Sequence, residues 1–285
     1  DNPLSTIQGG QSIWVHSMAA SPVLLLQALA KHAMDLKGLT VMQMHLEHAE
    51  ALADPALYGR LRNRVFFASA STRDLINKGL ADYVPVFLSE IPRLFRQGHQ
   101  PVDVALVQVS PPDRHGFCSL GVSVEVTLAA CQVAKKIIAH INPNMPRSHG
   151  DGYLALSDID VAFEQVIDVI EHAPEAITPQ MQAIGRQVAE LVRDGDCLQL
   201  GIGGVPDAVL ACLDDHQHLG IHTEMFSDGL LPLLKSGVVD NSRKNIHRGK
   251  VVATFVMGTR KLYDFVDDNP LSTIQGGQSI WVHSM

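Results

Sequence analysis

A chain of 285 residues, 46% hydrophobic and 18% charged, has material for one large or two medium domains and the make-up of an ordinary water-soluble globular protein. Its formal net charge of −8 argues against nucleic acid as the main partner, because phosphate binding wants a basic surface. No apolar run is long enough for a bilayer span, no charged leader with an apolar core opens the chain, and the four cysteines are scattered without metal-ligand spacing, so reduced core thiols in a cytoplasmic protein are expected.

In chain order the first signal is a duplication. Residues 1–18, DNPLSTIQGGQSIWVHSM, recur unchanged as residues 268–285. Diverged structural repeats do not keep such identity, so the expectation is an artefact of assembly, as if a frame of 267 residues had been read round a circle. Two copies of one strand segment cannot fill the same place in a sheet. Residues 13–15, 39–44, 65–67, 84–87, 102–109 and 136–141 carry the short apolar, β-branched runs of strands. Helices are expected from Pro22, over 71–78, through Leu94 and Phe95, over 122–134 and over 183–192. Residues 110–116 and 142–147 are loops at strand carboxyl ends, 159–161 and 163–170 are extended edge segments, and a boundary falls at 172–179. The strand–helix alternation argues for an α/β architecture with mainly parallel sheets. Gly10 opens GQSIWVHSMAASPVLLL and Gly195 opens GDCLQLGIGGVPDAVL. This echo suggests two related domains facing a shared cleft.

Chemistry concentrates between Asp196 and Gly229. An apolar strand at 197–200 ends in the loop Gly201, Ile202, Gly203, Gly204, and Pro206 follows in what should be a first helical turn, where its missing N–H would be unpaired anyway. A second strand ends near Thr223, with Glu224 just past it. Ligands of a parallel βαβ unit gather outside the strand carboxyl ends, so the loop and Glu224 are expected side by side. The dinucleotide fingerprint fails, because its third glycine would fall on Pro206. Backbone N–H groups at a helix start still suit an anion or a developing oxyanion, yet on its own the loop reads more readily as a tight turn needing glycine for its backbone. Glu224 changes that balance. Among Ile221, His222, Thr223, Met225 and Phe226, a carboxylate loses solvation and becomes a candidate nucleophile or base. A salt-bridged surface glutamate is the ordinary alternative, and Asp228 competes for the role, although SDG reads as a turn. The 14 histidines include no HExxH, and His45 and His48 have no evident third partner, so no metal site is expected.

The segments LQLGIGGVPDAVL, GIHTEMFSDG and KVVATFVMGTRKLYDFVDDNP, with INPNMPR, SPPDRHGFCSLG and DYVPVFLSEIP before them, resemble the acetyl-CoA hydrolase/transferase family, and within it most nearly the 4-hydroxybutyrate (butyrate-type) CoA-transferases. The resemblance covers Leu4 to Pro270. It implies two related CoA-transferase-type α/β domains with mainly parallel sheets flanked by helices. Residues 1–175 would be the first, residues 176–267 an incomplete second carrying the glycine loop and nucleophile, and residues 268–285 the duplicate. It places the nucleophile at Glu224, an oxyanion donor near Ile202 or Gly203 within the CoA-binding loop Gly201, Ile202, Gly203 and Gly204, and a substrate cleft at His115, Gly116, Asn144, Pro146 and Arg147. Read from the residues alone, those last five belong to strand-end turns.

The implied activity is acyl-CoA:carboxylate CoA transfer of the 4-hydroxybutyrate, butyrate or acetate type, through a glutamyl anhydride and a glutamyl–CoA thioester. Coenzyme A enters as part of the substrate, and no permanently bound cofactor is implied. The partners expected are an acyl-CoA and a small carboxylate, with self-association left open, and neither nucleic acid nor membrane. Alternatives are an acyl-CoA hydrolase, an inactive fragment and a non-catalytic CoA-binding module. Asp207 stands where relatives commonly have asparagine, relatives continue past DDNP, and the helix expected before the first strand is absent. Lys235, Arg243, Lys244, Arg248 and Lys250 are candidates for CoA phosphates or for a plain solvated face.

Overall fold

The computed structural model describes residues 2–201 and 203–276. Its first part alternates strands and helices: β1 (Ser12–Val15), α1 (Val23–Ala33), β2 (Leu39–Gln43), β3 (Leu61–Val65), α2 (Ala70–Asn77), β4 (Ala81–Tyr83), α3 (Ile91–Arg96) and β5 (Val104–Val109). It continues through β6 (Phe117–Ser119), α4 (Thr127–Val133), β7 (Lys136–Ile141), β8 (Tyr153–Ala155) and β9 (Val161–Glu164). Seven of these strands make one sheet in the order β4-β3-β2-β1-β5-β7-β9, and every neighbouring pair is parallel. Strand order grows one way from β1 and the other way from β5, so the switch point lies between them, where an open α/β sheet has its natural crevice.

Period-two alternation sorts the sheet's side chains. Ile13, Val15, Leu39, Val41, Val104, Leu106 and Ile138 pack on one face with Leu25, Leu26 and Leu29 of α1. Trp14, Met42, Ala105, Val107, Val109 and Ala139 pack on the other, where Trp14 meets Phe95 of α3 edge-on at 5.3 Å. That second face is continuous with Leu210, Phe226 and Leu262 from the later part of the chain.

The later part contains α5 (Pro179–Ala189), β10 (Cys197–Leu198), α6 (Gly204–Leu210), β11 (Gly220–Ile221), β12 (Met225–Phe226) and α7 (Leu230–Ser236), then β13 (Val251–Ala253), β14 (Phe255–Val256), α8 (Arg260–Val266) and β15 (Ser272–Ile274). β10 pairs with β11, β12 with β14 and β13 with β15, all parallel, and a His222–Val252 bridge joins the β11 and β13 lines. The echo around Gly10 and Gly195 is geometric too: φ is 82° and 86°, and each glycine precedes its strand by two residues.

Several expectations shift. The strand read at 65–67 lies at Leu61–Val65, where buried Leu61, Asn63 and Val65 alternate with more exposed arginines. The one read at 84–87 lies at Ala81–Tyr83. The helix read at 183–192 starts at Pro179, behind a Thr178 hydroxyl that accepts the Met181 N–H at 3.2 Å. The helix read at 122–134 begins only at Thr127; the residues before it are buried, with Ser123 and Glu125 in isolated β-bridges and Val126 already turned into the helical region. No helix among the described residues is long and apolar enough to cross a membrane.

Candidate active site

Parallel pairing of β10 and β11, with Cys197 opposite Gly220 and Leu198 opposite Ile221, sends both chains out of the same sheet edge. There the fully buried Thr223 ties them together. Its hydroxyl accepts the Leu200 N–H at 2.7 Å and lies 3.1 Å from the Leu200 carbonyl. The residue before the glycine loop is thus fastened to the residue before Glu224, the neighbourhood expected from the βαβ reading.

The two halves of Glu224 are treated differently. Its carbonyl accepts the Thr254 N–H at 3.0 Å, the Phe255 N–H at 3.2 Å and the Thr254 hydroxyl at 2.8 Å. Its carboxylate has no hydrogen-bond or ion-pair partner among the described residues, and burial alone pushes its pKa above the ordinary glutamate value. Asp228 has the opposite fate: it receives the Thr259 N–H at 2.7 Å and the Thr259 hydroxyl at 2.6 Å, at the start of α8. Asp207 accepts the Ser227 hydroxyl at 3.1 Å, and burial, with Asp228 and Glu175 near, pushes its carboxyl up.

Around the loop, Gly203 takes φ 112° and ψ 179°, a backbone that other residues adopt only with strain. Gly204 opens α6 against α5, where an added Cβ would come 2.9 Å from the Met181 sulfur. Pro206 stands in the first turn of α6, as expected. Gly201 is exposed, and Ile202 lies outside the described residues. A cavity of about 150 Å³ opens beside Gly203 and Asp207, with His172, Met225 and Asp228 also in its wall. Glu224 does not line it.

The two first-half loops meet each other. Arg147 donates to Asp113 at 2.7 Å and to the Phe117 carbonyl at 3.0 Å, with its guanidinium 4.8 Å above the Tyr153 ring. Asp113 also accepts the N–H groups of Phe117 and His115, which hold its carboxyl below the usual range. The Asn144 amide donates to the Ile167 carbonyl at 2.9 Å, Pro146 is buried, Gly116 is half-buried and His115 is exposed. No hydrogen bond or ion pair among the described residues joins these five residues to Glu224 or the glycine loop.

What joins the first sheet to Glu224 is the stretch read as helix. Its backbone runs beside β14: Ser123 bridges Phe255, Val256 donates to the Val122 carbonyl at 2.7 Å, and Val124 donates to the Thr254 carbonyl at 3.0 Å. Glu125 ties it down. Its buried carboxylate accepts the hydroxyls of Ser17, Ser123 and Thr127 and the N–H groups of Val126 and Thr127. His16, at the end of β1, faces the Gln108 N–H with Nδ1, so its Nε2 donates to the Ser123 carbonyl at 2.6 Å; burial lowers its pKa and keeps the ring neutral. A path therefore runs from the sheet's switch point through Glu125 and Thr254 to Glu224. The alternation V-S-V-E-V was the available signal, overridden by the apolar run behind it.

Of the basic candidates, Lys244 is buried and turns its ammonium onto the Ile221 and Lys250 carbonyls, at 2.6 and 2.7 Å. It cannot face a phosphate from there. The Arg248 Nε donates to the Lys244 carbonyl at 2.9 Å. Among the described residues no group of three or more His, Cys, Asp or Glu could hold a metal ion. His45 instead bonds Glu47 at 3.1 Å.

A seven-stranded parallel sheet with helices between its strands, followed by further parallel strand pairs, defines an α/β protein. The chain belongs to the acetyl-CoA hydrolase/transferase family, whose N-terminal-domain model matches residues 2–182. It is 42% identical over 271 residues to the 4-hydroxybutyrate coenzyme A transferase of Clostridium kluyveri, covering 95% of this chain and 63% of that protein. It is 42% identical over 287 residues to the succinyl-CoA:acetate/propanoyl-CoA:succinate CoA transferase of Fasciola hepatica, covering 100% of this chain and 59% of that one. The fold is that of RipA from Yersinia pestis, with TM-score 0.93 and 32% identity over 98% of this chain and 67% of that chain. The chain spans about three fifths of the length of the two curated relatives.

Proposed function

We propose that this chain is part of an acyl-CoA:carboxylate CoA-transferase in which Glu224 is the nucleophile. The observation that carries the reading is Glu224 itself: a desolvated carboxylate without a partner among the described residues, on a main chain pinned by three donors. Nucleophilic catalysis wants a reactive group that is held in place but not neutralised.

In the proposed sequence Glu224 attacks the thioester carbonyl of an acyl-CoA, and the tetrahedral intermediate expels CoA thiolate to leave an acyl–glutamyl anhydride. The thiolate attacks the glutamyl carbonyl of the anhydride, forming a glutamyl–CoA thioester and releasing the first carboxylate. An incoming carboxylate attacks that thioester, and the same steps in reverse regenerate Glu224 and a new acyl-CoA. Each intermediate carries an oxyanion. The turn of Gly201, Ile202, Gly203 and Gly204 is our assignment for its donors, supported by the Thr223 link to Leu200 and by the unpaired N–H groups inherent to a helix start. The relatives' names point to small carboxylates such as acetate, succinate and 4-hydroxybutyrate as the exchanging acids. We assign residues 1–175 and 176–267 to two domains of the transferase, and the chain, with free cysteines among its described residues, to the cytoplasm.

Incubation with butyryl-CoA, trapping with hydroxylamine or borohydride and peptide mass analysis tests the assignment. A modified Glu224 and CoA transfer that requires added acetate are expected. An unmodified Glu224 under turnover would sink the nucleophile role, and CoA release independent of any carboxylate would mark a hydrolase.

A further inference from the structure

The chain segment that presents Glu224 is braced from behind. The β11 and β13 lines run side by side, joined by the His222–Val252 bridge and by the Thr223 N–H to the Val252 carbonyl at 2.9 Å. One line leads to Glu224 and the other to Thr254, which carries the Glu224 carbonyl. Three residues upstream of Glu224 and four upstream of Thr254, the Lys244 ammonium donates to one carbonyl of each line, Ile221 and Lys250. The side chain is sealed in, 4% exposed, with no carboxylate within ion-pair distance among the described residues. Its stem lies over Gly220, where an added Cβ would come 2.7 Å from Lys244 Cγ, so a glycine makes the room.

A buried cation is an expensive way to satisfy two carbonyls, and it gives charge-assisted bonds about twice as strong as neutral ones. We propose that Lys244 is a positioning residue for Glu224, whose buried ammonium locks the spacing of the two lines that deliver the nucleophile and its Thr254 support. The inference rests on the nucleophile reading for its kinetic effect and on the clamp geometry alone for its structural one. Burial lowers the Lys244 pKa to about 8, so the clamp weakens on the alkaline side. The Cys197 thiol of β10 is the titratable group that faces it, Arg248 and Lys250 flank it on its own loop, and β11 and β13 carry none.

The test compares the full chain with Lys244→Met and Lys244→Arg, by transfer kinetics from neutral to alkaline pH and by amide hydrogen exchange at Thr223 and Thr254. For the wild type, kcat should fall as pH rises through about 8 with KM little changed. Lys244→Met should lower kcat on the order of 10–10²-fold, the size of a small misplacement of a reacting group, lose that alkaline limb and speed exchange at both amides. Lys244→Arg, which stays charged, should keep part of the activity and also lose the limb, and it serves if the methionine variant does not fold. Wild-type kcat with an intact limb in either variant, or unchanged exchange at Thr223 and Thr254, overturns the clamp. If the wild type forms no adduct at Glu224, the nucleophile reading fails instead, and the exchange data still decide the clamp.

Discussion

Glu125 and Glu224 reach Thr254 from opposite sides. The Glu125 N–H points at the Thr254 carbonyl at 3.4 Å, and the Thr254 N–H and hydroxyl point at the Glu224 carbonyl at 3.0 and 2.8 Å. Their side chains then part company. The Glu125 carboxylate takes five donors in full burial, while the Glu224 carboxylate has none among the described residues and burial raises its pKa. One residue type serves two purposes because the fold chooses what surrounds it. A carboxylate whose lone pairs are all engaged fixes backbone and is a poor nucleophile. One that is desolvated and unpaired keeps its electron density available, at some expense of stability.

Exchanging the roles by mutation should break the contrast most visibly in rate. Glu224→Gln should lower kcat for CoA transfer on the order of 10⁴-fold or more, as loss of a covalent nucleophile does, whereas Glu125→Asp should keep measurable transfer; steady-state kinetics on both variants decide it. Next in size is stability. Glu125→Ala orphans several buried donors and should cost about 3–5 kcal/mol in urea unfolding.

A smaller effect is expected at the link between the loop and Glu224. Thr223→Val leaves the buried Leu200 N–H without its acceptor, so a loss of about 1–3 kcal/mol is expected, and Thr223→Ser should restore it; equal melting curves for threonine and valine would remove this link from the site. The smallest effect runs the other way. A carboxyl whose folded pKa is raised lowers stability above its unfolded value, and the penalty fades as pH falls and both states become protonated. Glu224→Gln should therefore gain about 0.5–2 kcal/mol at neutral pH and lose that advantage in acid. The acid limb of wild-type kcat/KM should lie above the ordinary glutamate range for the same reason.

The sheet was legible where a strand is buried on both faces. β5 and β7 are mostly apolar, broken only by Gln108 in one and by Lys136 and His140 in the other, and their positions followed to within two residues. β3, whose sequence LRNRV mixes arginines with apolar residues, did not stand out because its polar atoms are satisfied at a distance: the Asn63 amide donates to the Leu52 carbonyl at 3.2 Å. At the site, Glu224 and the loop could be paired by βαβ logic, since both lie within one local unit. Glu125 could not, because its worth depends on Ser17, more than a hundred residues away, and on Thr254 further on. Nor could the inward turn of Lys244, which on composition alone resembles any surface lysine.

The duplicated segment separates local from tertiary causes within one set of residues. In both copies the asparagine side chain accepts the leucine N–H, Leu4 from Asn2 and Leu271 from Asn269, each at 3.0 Å. In both, the serine N–H returns to the asparagine carbonyl, at 3.1 Å for Ser5 and 3.2 Å for Ser272. This turn closes within a few residues, so the sequence determines it wherever it occurs. The next residues diverge. Ile7 donates back to the Leu4 carbonyl at 2.9 Å, whereas Ile274 donates to the His149 carbonyl at 2.7 Å while Ser272, Thr273 and Ile274 pair with β13. Leu4 is wholly buried near α1, and Leu271 is 59% exposed. A strand cannot satisfy its own N–H and C=O groups and must borrow a partner. Gly150 leaves that space open, since a Cβ there would come 2.1 Å from the Ile274 oxygen. The same dependence on a distant partner holds at the site: Glu224 could be proposed as the nucleophile, and its neighbouring loop named, from the sequence, but the donors that withhold themselves from Glu224 and crowd around Glu125 exist only once the chain has folded.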